Sequence, residues 1–450
     1  MVKRRFAVVC SLFVFALMLG GCGPKLQEPM GSKPIKVMYY SEDYFNQEYG
    51  ELFATKFPDL EVEVVDFEDL DYSSGDATKA EMDFIAREQP DVLLLEAEQY
   101  EKYIGEGLLM ELDPFIQKDD YDLQSVYPTV LELLKEKGQG KIYGLSPRFY
   151  GTAVFYNQAL FERYGIELPR EKMTWAELLD LAKRFPLKDG DGKRIYGFGL
   201  RDGAAVDVLA DRMASTEGLA TVNPNQKKVV IASDAWKTIL QQAADACASG
   251  SVYTGNTATD GTGHDGSESS DPFIQGNMAM TVEDLYLLYD LKRANNRNPA
   301  YRAFPLGVVA GPVDPRSRDS SNDIRLKEIF AIRNGSPNAD AAWEFIKYVS
   351  GDEYAKVKGK SMDGNILARM GHYQEGDIDL NAFYSLRPVV TSSAAVDDTP
   401  AEFYSMFQEL MQRELQGVVE KRTSLEAALQ KLQSEGQFML EQSNKKSSRK

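Results

Sequence analysis

Three cysteines, two histidines and three tryptophans are all that 450 residues contain of these types. His264 and His372 stand far apart in sequence, so neither a histidine-based metal site nor a Ser-His-Asp triad can be traced. Basic charge is short as well. Lys+Arg number 51 against 69 Asp+Glu, leaving −18. Such a surface repels phosphate backbones and anionic headgroups and argues against nucleic-acid binding. What is plentiful fits a folded globular chain: 43% hydrophobic, 27% charged and 11% aromatic residues exclude global disorder, collagen and coiled coil. The length exceeds what one hydrophobic core usually organises, so two or three domains are expected.

The N-terminus carries a specific signal. Met1 to Arg5 holds three positive charges, and an apolar run of 16 residues follows from Phe6 to Gly21. A bilayer span needs about 20 residues, whereas a run of this length suits the core of a signal peptide. It closes on Leu19-Gly20-Gly21-Cys22, which resembles the lipobox of bacterial lipoproteins. Residues 1–21 are therefore expected to be a cleaved lipoprotein signal peptide. Cys22 is the expected lipidation site (diacylglyceryl with palmitate), and residues 22–33 an anchor and tether. An uncleaved anchor helix is the alternative, disfavoured by Gly20-Gly21. Loss of Lys3, Arg4 and Arg5 with the signal takes the charge from −18 to −21. Cys247 would then be the one free thiol, read as a small buried residue on a helix rather than as a nucleophile.

From Pro34 the pattern alternates between strands and helices. Pro34–Tyr40 and Leu60–Val65 alternate as strands, with Tyr49, Leu52, Phe53 and Phe57 spaced for one helix face between them. Pro90–Glu96 is a continuous apolar run, expected as a strand buried on both faces. Ile142–Leu145 and Ala153–Tyr156 read as two more strands, which together predict an α/β protein with mostly parallel sheets. Thr174–Glu177, Ser350–Glu353 and Thr423–Glu426 read as helix capping boxes, and Ser336-Pro337 as a further helix start. Ser249 to Asp271 is Gly-, Ser-, Thr- and Asp-rich and reads as a long surface loop or a locally disordered stretch containing His264-Asp265. Asp189-Gly-Asp-Gly-Lys193 lacks the later oxygen ligands of a calcium loop and reads as a plain turn. The basic end Lys445–Lys450 reads as frayed.

Five segments in order resemble the carbohydrate-type extracellular solute-binding proteins that serve ABC importers. They are Lys141-Ile-Tyr-Gly-Leu-Ser-Pro147 with Val154–Phe161, Met173-Thr-Trp-Ala-Glu-Leu178, Phe273-Ile-Gln-Gly-Asn-Met-Ala-Met280, Ala331–Ile346 and Gly364-Asn-Ile-Leu-Ala-Arg369. Ala368 stands where the family usually has proline. The resemblance implies a two-lobed α/β fold of the periplasmic-binding-protein type, with a hinge and an interlobe ligand cleft. It further implies an N-terminal lobe of residues 34–151 plus 279–349 and a C-terminal lobe of 152–278 plus 350–450. Crossings between them would lie near Thr152, Met278–Thr281 and Ser350. By the same implication the chain is no enzyme and needs no cofactor or metal. It would be a monomer that captures a sugar or oligosaccharide for the permease subunits of an ABC importer, touching the membrane only through its lipid. A sensor lipoprotein for a membrane receptor and a surface glycoside hydrolase remain as alternatives.

A sugar offers hydroxyls at its edges and flat C–H faces, so its site needs planar polar side chains and an aromatic platform. Ligand groups collect at the carboxyl ends of parallel strands. That rule selects Tyr40, Ser41, Glu42, Glu96, Arg148, Tyr150, Arg201 and Asp202. The resemblance adds Glu283, Tyr286 and Arg369, with Glu283 expected one helical turn before Tyr286 on the same face. Glu98 and Asp284 are weaker candidates. Trp175, Trp236 and Trp343 all lie at helix starts or within helices and are expected to be structural, which leaves a tyrosine as the platform.

Overall fold

The computed structural model describes residues 34–67, 70, 77–201, 203–255, 271–297, 302–360, 364–372, 378–389 and 399–447. The signal segment, Cys22, Asp202 and His264-Asp265 lie outside them. Two compact units emerge: Met1–Val92 with Gly335–Phe345, and Leu93–Asn334 with Ile346–Lys450.

In the first unit, β1 (Ile35–Tyr39) leads into a helix, α1, that runs Glu42–Phe45, widens to a π turn at Asn46–Gly50 and ends as Glu51–Lys56. Next come β2 (Val62–Asp66) and α2 (Ala77–Glu88), and at Val92, where this stretch of the unit ends, begins β3 (Val92–Leu95). β1 pairs in parallel with β2 along its length, Ile35 opposite Val62 and Tyr39 opposite Asp66, and with β3 at Val37–Val92. All four residues of β3 are buried, as its unbroken apolar run requires. Phe45, Tyr49 and Phe53 of α1 face inward at four-residue spacing, and Phe345 packs on Phe45 and Phe53 at 5.7 and 5.2 Å. The buried carboxylate of Asp91 ties this unit together. It accepts hydrogen bonds from Lys36 N (2.9 Å), Ser336 Oγ (2.6 Å) and Asn338 Nδ2 (3.1 Å). Ser336 and Asn338 thus anchor the turn before the helix Ala339–Val349, one of the segments singled out in the sequence.

The second unit holds β4 (Ala153–Asn157), α3 (Trp175–Ala182), β5 (Tyr196–Gly199), α4 (Asp234–Ala248), β6 (Val252–Tyr253), β7 (Met278–Glu283), α5 (Tyr286–Arg297), β8 (Leu306–Val309), α6 (Ala401–Val419) and α7 (Leu425–Ser447). Its main sheet has the order β6-β5-β7-β4-β8. Pairing is parallel across β6-β5-β7 and antiparallel across β7-β4-β8, so the sheet is mixed rather than mostly parallel. Gly197 is needed in β5 because any Cβ there would meet the carbonyl of Ala182 at the end of α3. The capping box at Thr174 forms in full: Thr174 Oγ1 accepts from Glu177 N and Glu177 Oε2 from Thr174 N. A two-pronged contact from Arg318 to Glu177 at 2.9 and 3.0 Å, helped by the cap, holds that carboxyl down at about 2.

Several expectations shift. The helix Asp352–Lys358 starts from Gly351, with no side-chain cap from Ser350. Ser424, not Thr423, receives the amide of Ala427 at the start of α7. Of Ile142–Leu145, only Gly144–Leu145 is strand. The stretch from Ser249 begins as β6, with Val252 and Tyr253 buried, because a two-residue apolar pair suffices when a neighbouring strand supplies the partners. The basic tail stays helical to Ser447, where Lys446 pairs with Glu402 at 2.6 Å. Trp175, Trp236 and Trp343 are buried, and the indoles of the first two donate to Thr216 Oγ1 and Ala220 O. Cys247 is a buried free thiol, and burial, with Asp207 nearby, pushes it up to about 12. Asp189 uses its carboxylate to accept the amides of Asp191 and Lys193, which makes the segment a turn. No helix among the described residues is long and apolar enough to cross a membrane.

Candidate functional site

The three parallel strands of the second unit end on the same side. Thr281 stands opposite Gly199, so two residues further on Glu283 and Arg201 leave the sheet as neighbours. Glu283 Oε1 accepts from Arg201 N at 3.0 Å, and Glu283 Oε2 lies 3.7 Å from the guanidinium Nε. Arg201 Nη1 donates to Asp290 Oδ2 on the buried side of α5. The guanidinium carbon sits 5.5 Å from the centroid of the Tyr286 ring, within cation–π range. Arg201 therefore touches two carboxylates and one aromatic ring.

Tyr286 opens α5, whose first turn is capped by Asp284 Oδ1 accepting from Tyr286 N at 2.8 Å. Its neighbours in sequence, Leu285 and Leu287, are buried, while Tyr286 is 39% exposed. Its ring lies 5.2 Å from that of Tyr289. Gly364, at φ +82°, backs directly onto Tyr286, where a Cβ would come within 2.9 Å of the tyrosine side chain. Any larger residue at 364 would push the ring aside. Glu283 is the last residue of β7 rather than part of a helix, so the expected helical turn from Glu283 to Tyr286 is absent. Arg201 links the two instead.

Carboxylates crowd this corner, and burial sets their behaviour. Burial raises Glu283 to about 7, opposed by Arg201 and reinforced by Asp284 and Asp271. Asp271, which accepts from Phe273 N at 2.7 Å, is also raised, again mainly by burial. Burial alone would lower Arg201, but Glu283, Asp290 and Asp271 hold it above its ordinary value. The arrangement offers a fixed cation, a carboxyl poised near neutrality as donor or acceptor, and a half-open ring. Nothing in this trio is arranged as a metal cage, and no cluster of three potential metal ligands occurs among the described residues.

The remaining candidates fall elsewhere. Tyr150 is half-buried beside Lys327, whose Nζ lies 5.4 Å over its ring, and burial raises its hydroxyl, with Asp284, Asp323 and Glu283 adding to the effect and Arg212 opposing it. Arg148 is buried and paired with Glu328 at 2.7 Å. Arg369, also buried, donates to Ser350 O and to Ser125 Oγ, and lies 4.9 Å over Tyr121. Both arginines thus serve the packing of the second unit. Glu96 is exposed at the start of the helix Ala97–Gly105, its amide donating to Gln99 Oε1. Tyr40, Ser41 and Glu42 belong to the first unit, at the carboxyl end of β1. The sequence reading missed Asp290, Asp271, Tyr289 and Gly364. Asp290 sits four residues after Tyr286 on one helix face, a spacing visible in the sequence; Asp271 gave no such signal.

Comparison with known proteins places this geometry in context. Residues 38–356 match the family of bacterial extracellular solute-binding proteins. A galactooligosaccharide-binding protein of Bacillus subtilis (strain 168) is 28% identical over 208 residues, covering 43% of this chain and 43% of that protein, so the match spans less than half of the relative's length. An ABC substrate-binding protein from Listeria monocytogenes, solved in complex with cycloalternan, superposes with a TM-score of 0.55 at 19% identity, covering 90% of this chain and 98% of the other. The sugar-binding protein MalE from Xanthomonas citri gives 0.61 at 15% identity, covering 93% and 100%. Likeness at such identities shows the fold, a two-lobed α/β architecture of the periplasmic-binding-protein kind.

Proposed function

We propose a function for a chain that belongs to the bacterial extracellular solute-binding proteins: it captures a carbohydrate outside the cytoplasm and delivers it to an ABC importer. Membership makes it a binding protein and not an enzyme. The observation that carries the carbohydrate is the trio of Arg201, Glu283 and half-exposed Tyr286 at the strand ends. The ring would meet a C–H face, while guanidinium and carboxyl would meet hydroxyls. The ligands named for the similar Bacillus and Listeria proteins, galactooligosaccharide and cycloalternan, support the same class.

Tyr40, Ser41, Glu42, Glu96, Tyr150 and Asp202 stay in the proposed ligand set with that trio. Arg148 and Arg369 are proposed as its supports, since their guanidinium groups already serve buried partners. The lobes are proposed as residues 34–151 plus 279–349 and 152–278 plus 350–450, closing on bound sugar. Anchorage would run through a lipid on Cys22. A thermal-shift screen of galacto-, gluco- and manno-oligosaccharides, with chromatography of the sugar afterwards, tests the reading. A raised melting temperature with intact sugar is expected; no shift with any sugar, or sugar cleavage, would reject it.

A further inference from the structure

On the carbohydrate reading above, we propose that the site takes up a proton on Glu283 together with its sugar, so that capture is favoured at acidic pH and weakens above neutrality. Charge at this corner does not balance. Arg201 is already matched by Asp290, which takes Nη1 and whose side chain is 5% exposed. Glu283, Asp271 and Asp284 bring further carboxyls to the same corner. They are held differently. Asp271 accepts from Phe273 N at 2.7 Å, and Asp284 from Tyr286 N at 2.8 Å. Glu283 Oε1 accepts from Arg201 N at 3.0 Å, with Thr281 Oγ1 at 3.5 Å. Glu283 Oε2 stands 3.7 Å from the guanidinium Nε, beyond hydrogen-bond reach. That oxygen can carry a proton without giving up a hydrogen bond.

Sugar contact sharpens the imbalance. The Glu283 side chain keeps 15% of its surface open to water. A sugar ring on Tyr286 would cover what remains, and a carboxylate sealed beside Asp271 and Asp284 costs more to charge than an open one. As a carboxylic acid, Glu283 keeps the Arg201 amide on Oε1 and donates from Oε2 to a sugar oxygen. Burial already brings this group to about 7, so the added cost acts across the neutral range. The other groups facing it are less suited to take the proton. Asp290 is neutralised by Arg201, and the amides of Phe273 and Ile274 favour the charged form of Asp271 against its burial. Tyr150, on the strand Arg148–Tyr150 and under the influence of Arg212 and Asp323, is raised by burial and remains a neutral phenol. Binding that requires the protonated form scales with the fraction protonated.

Calorimetry of the mature chain tests this with galactooligosaccharide, cycloalternan and a maltooligosaccharide, continuing with the one that binds most tightly. Titrations from pH 6 to pH 8, repeated in two buffers of different ionisation heat, give both affinity and protons exchanged. The parent should take up about half a proton at pH 7 and bind about tenfold more weakly at pH 8 than at pH 6. Glu283→Gln, which cannot titrate, should show a flat profile and no uptake. Asp284→Asn keeps the acceptor for Tyr286 N but removes a neighbouring negative charge, so its fall in affinity should move to lower pH. If the parent binds equally at pH 6 and pH 8 without uptake, or releases protons, the carbohydrate reading stands and this proposal falls. A parent-like pH profile in Glu283→Gln would place the proton on another group and overturn the assignment. Should Glu283→Gln fail to fold or bind, Asp284→Asn decides, and an unshifted profile there overturns the proposal. If the parent binds none of the three sugars at any pH, the carbohydrate reading itself falls and takes the proposal with it.

Discussion

Arg201 organises the candidate site because three groups converge on it, and the carboxyl of Glu283 is the one whose charge changes near neutral pH. Its folded value of about 7 lies above the ordinary 4.5, mainly through burial. The folded state therefore binds this proton more tightly than the unfolded chain. The resulting stabilisation is full below the ordinary value and is lost as pH rises through about 7. Glu283→Gln mimics the protonated form, so its melting temperature should not show that loss between pH 5 and pH 8, and above pH 7 it should match or exceed the parent. Melting curves across this range check it; identical profiles for the two proteins would show that Glu283 does not titrate there. The strand-end rule selected Arg201 from the sequence, while Glu283 and Tyr286 came from the family resemblance. The rule selected Arg148 equally, and the resemblance added Arg369. Only the tertiary partners, Glu328 for one and Ser350, Ser125 and Tyr121 for the other, distinguish a buried structural arginine from a half-open one.

Elements were legible where the signal is local. β1, β2, β3 and β4 fall within about two residues of their alternating or apolar runs, and the Thr174 box forms as written. The mixed pairing of the second sheet was not legible, since strand direction depends on contacts far apart in sequence and leaves no periodicity. Capping also misled at Ser350 and Thr423, where several hydroxyl, glycine and acidic residues compete for one helix start. Asp91 shows what an element boundary can hide. A carboxylate at the start of an apolar strand looks solvated, yet it is 2% exposed and joins β1 to the turn at Ser336–Asn338. Asp91→Ala would strand three donors in a dry site and should cost ~3 kcal/mol or more. Asp91→Asn, which keeps an acceptor, should cost less. Urea denaturation of both variants measures this, and near-parental midpoints would contradict the assigned role.

At the scale of the whole molecule, two proposals concern placement and motion. Changing Cys22→Ala should release the chain from membranes or leave it unprocessed, read by cell fractionation and mass; unchanged retention with normal processing would sink the anchor. Closure of two lobes on sugar should lower the radius of gyration measured by small-angle scattering at saturation, with equal radii arguing against the hinge. The family and its α/β fold could be read from five ordered segments because each also builds a local device: a cap, a strand or a turn. The ligand's identity could not, since hydroxyl recognition depends on side chains brought together from distant segments.

The central claim is that this chain binds a carbohydrate reversibly, with Tyr286 as a stacking platform. Calorimetry of the parent and Tyr286→Ala with galactooligosaccharide, and with the best sugar from the thermal-shift screen, tests it most directly. Because the ring is 39% exposed, the variant should melt with the parent. Loss of the stack should cost about 1 to 3 kcal/mol, or 5- to 150-fold in affinity. Saturable binding by the parent, intact sugar at the end, and that loss in the variant are the results expected. Equal affinity of the two proteins, or no binding by the parent, would contradict the account.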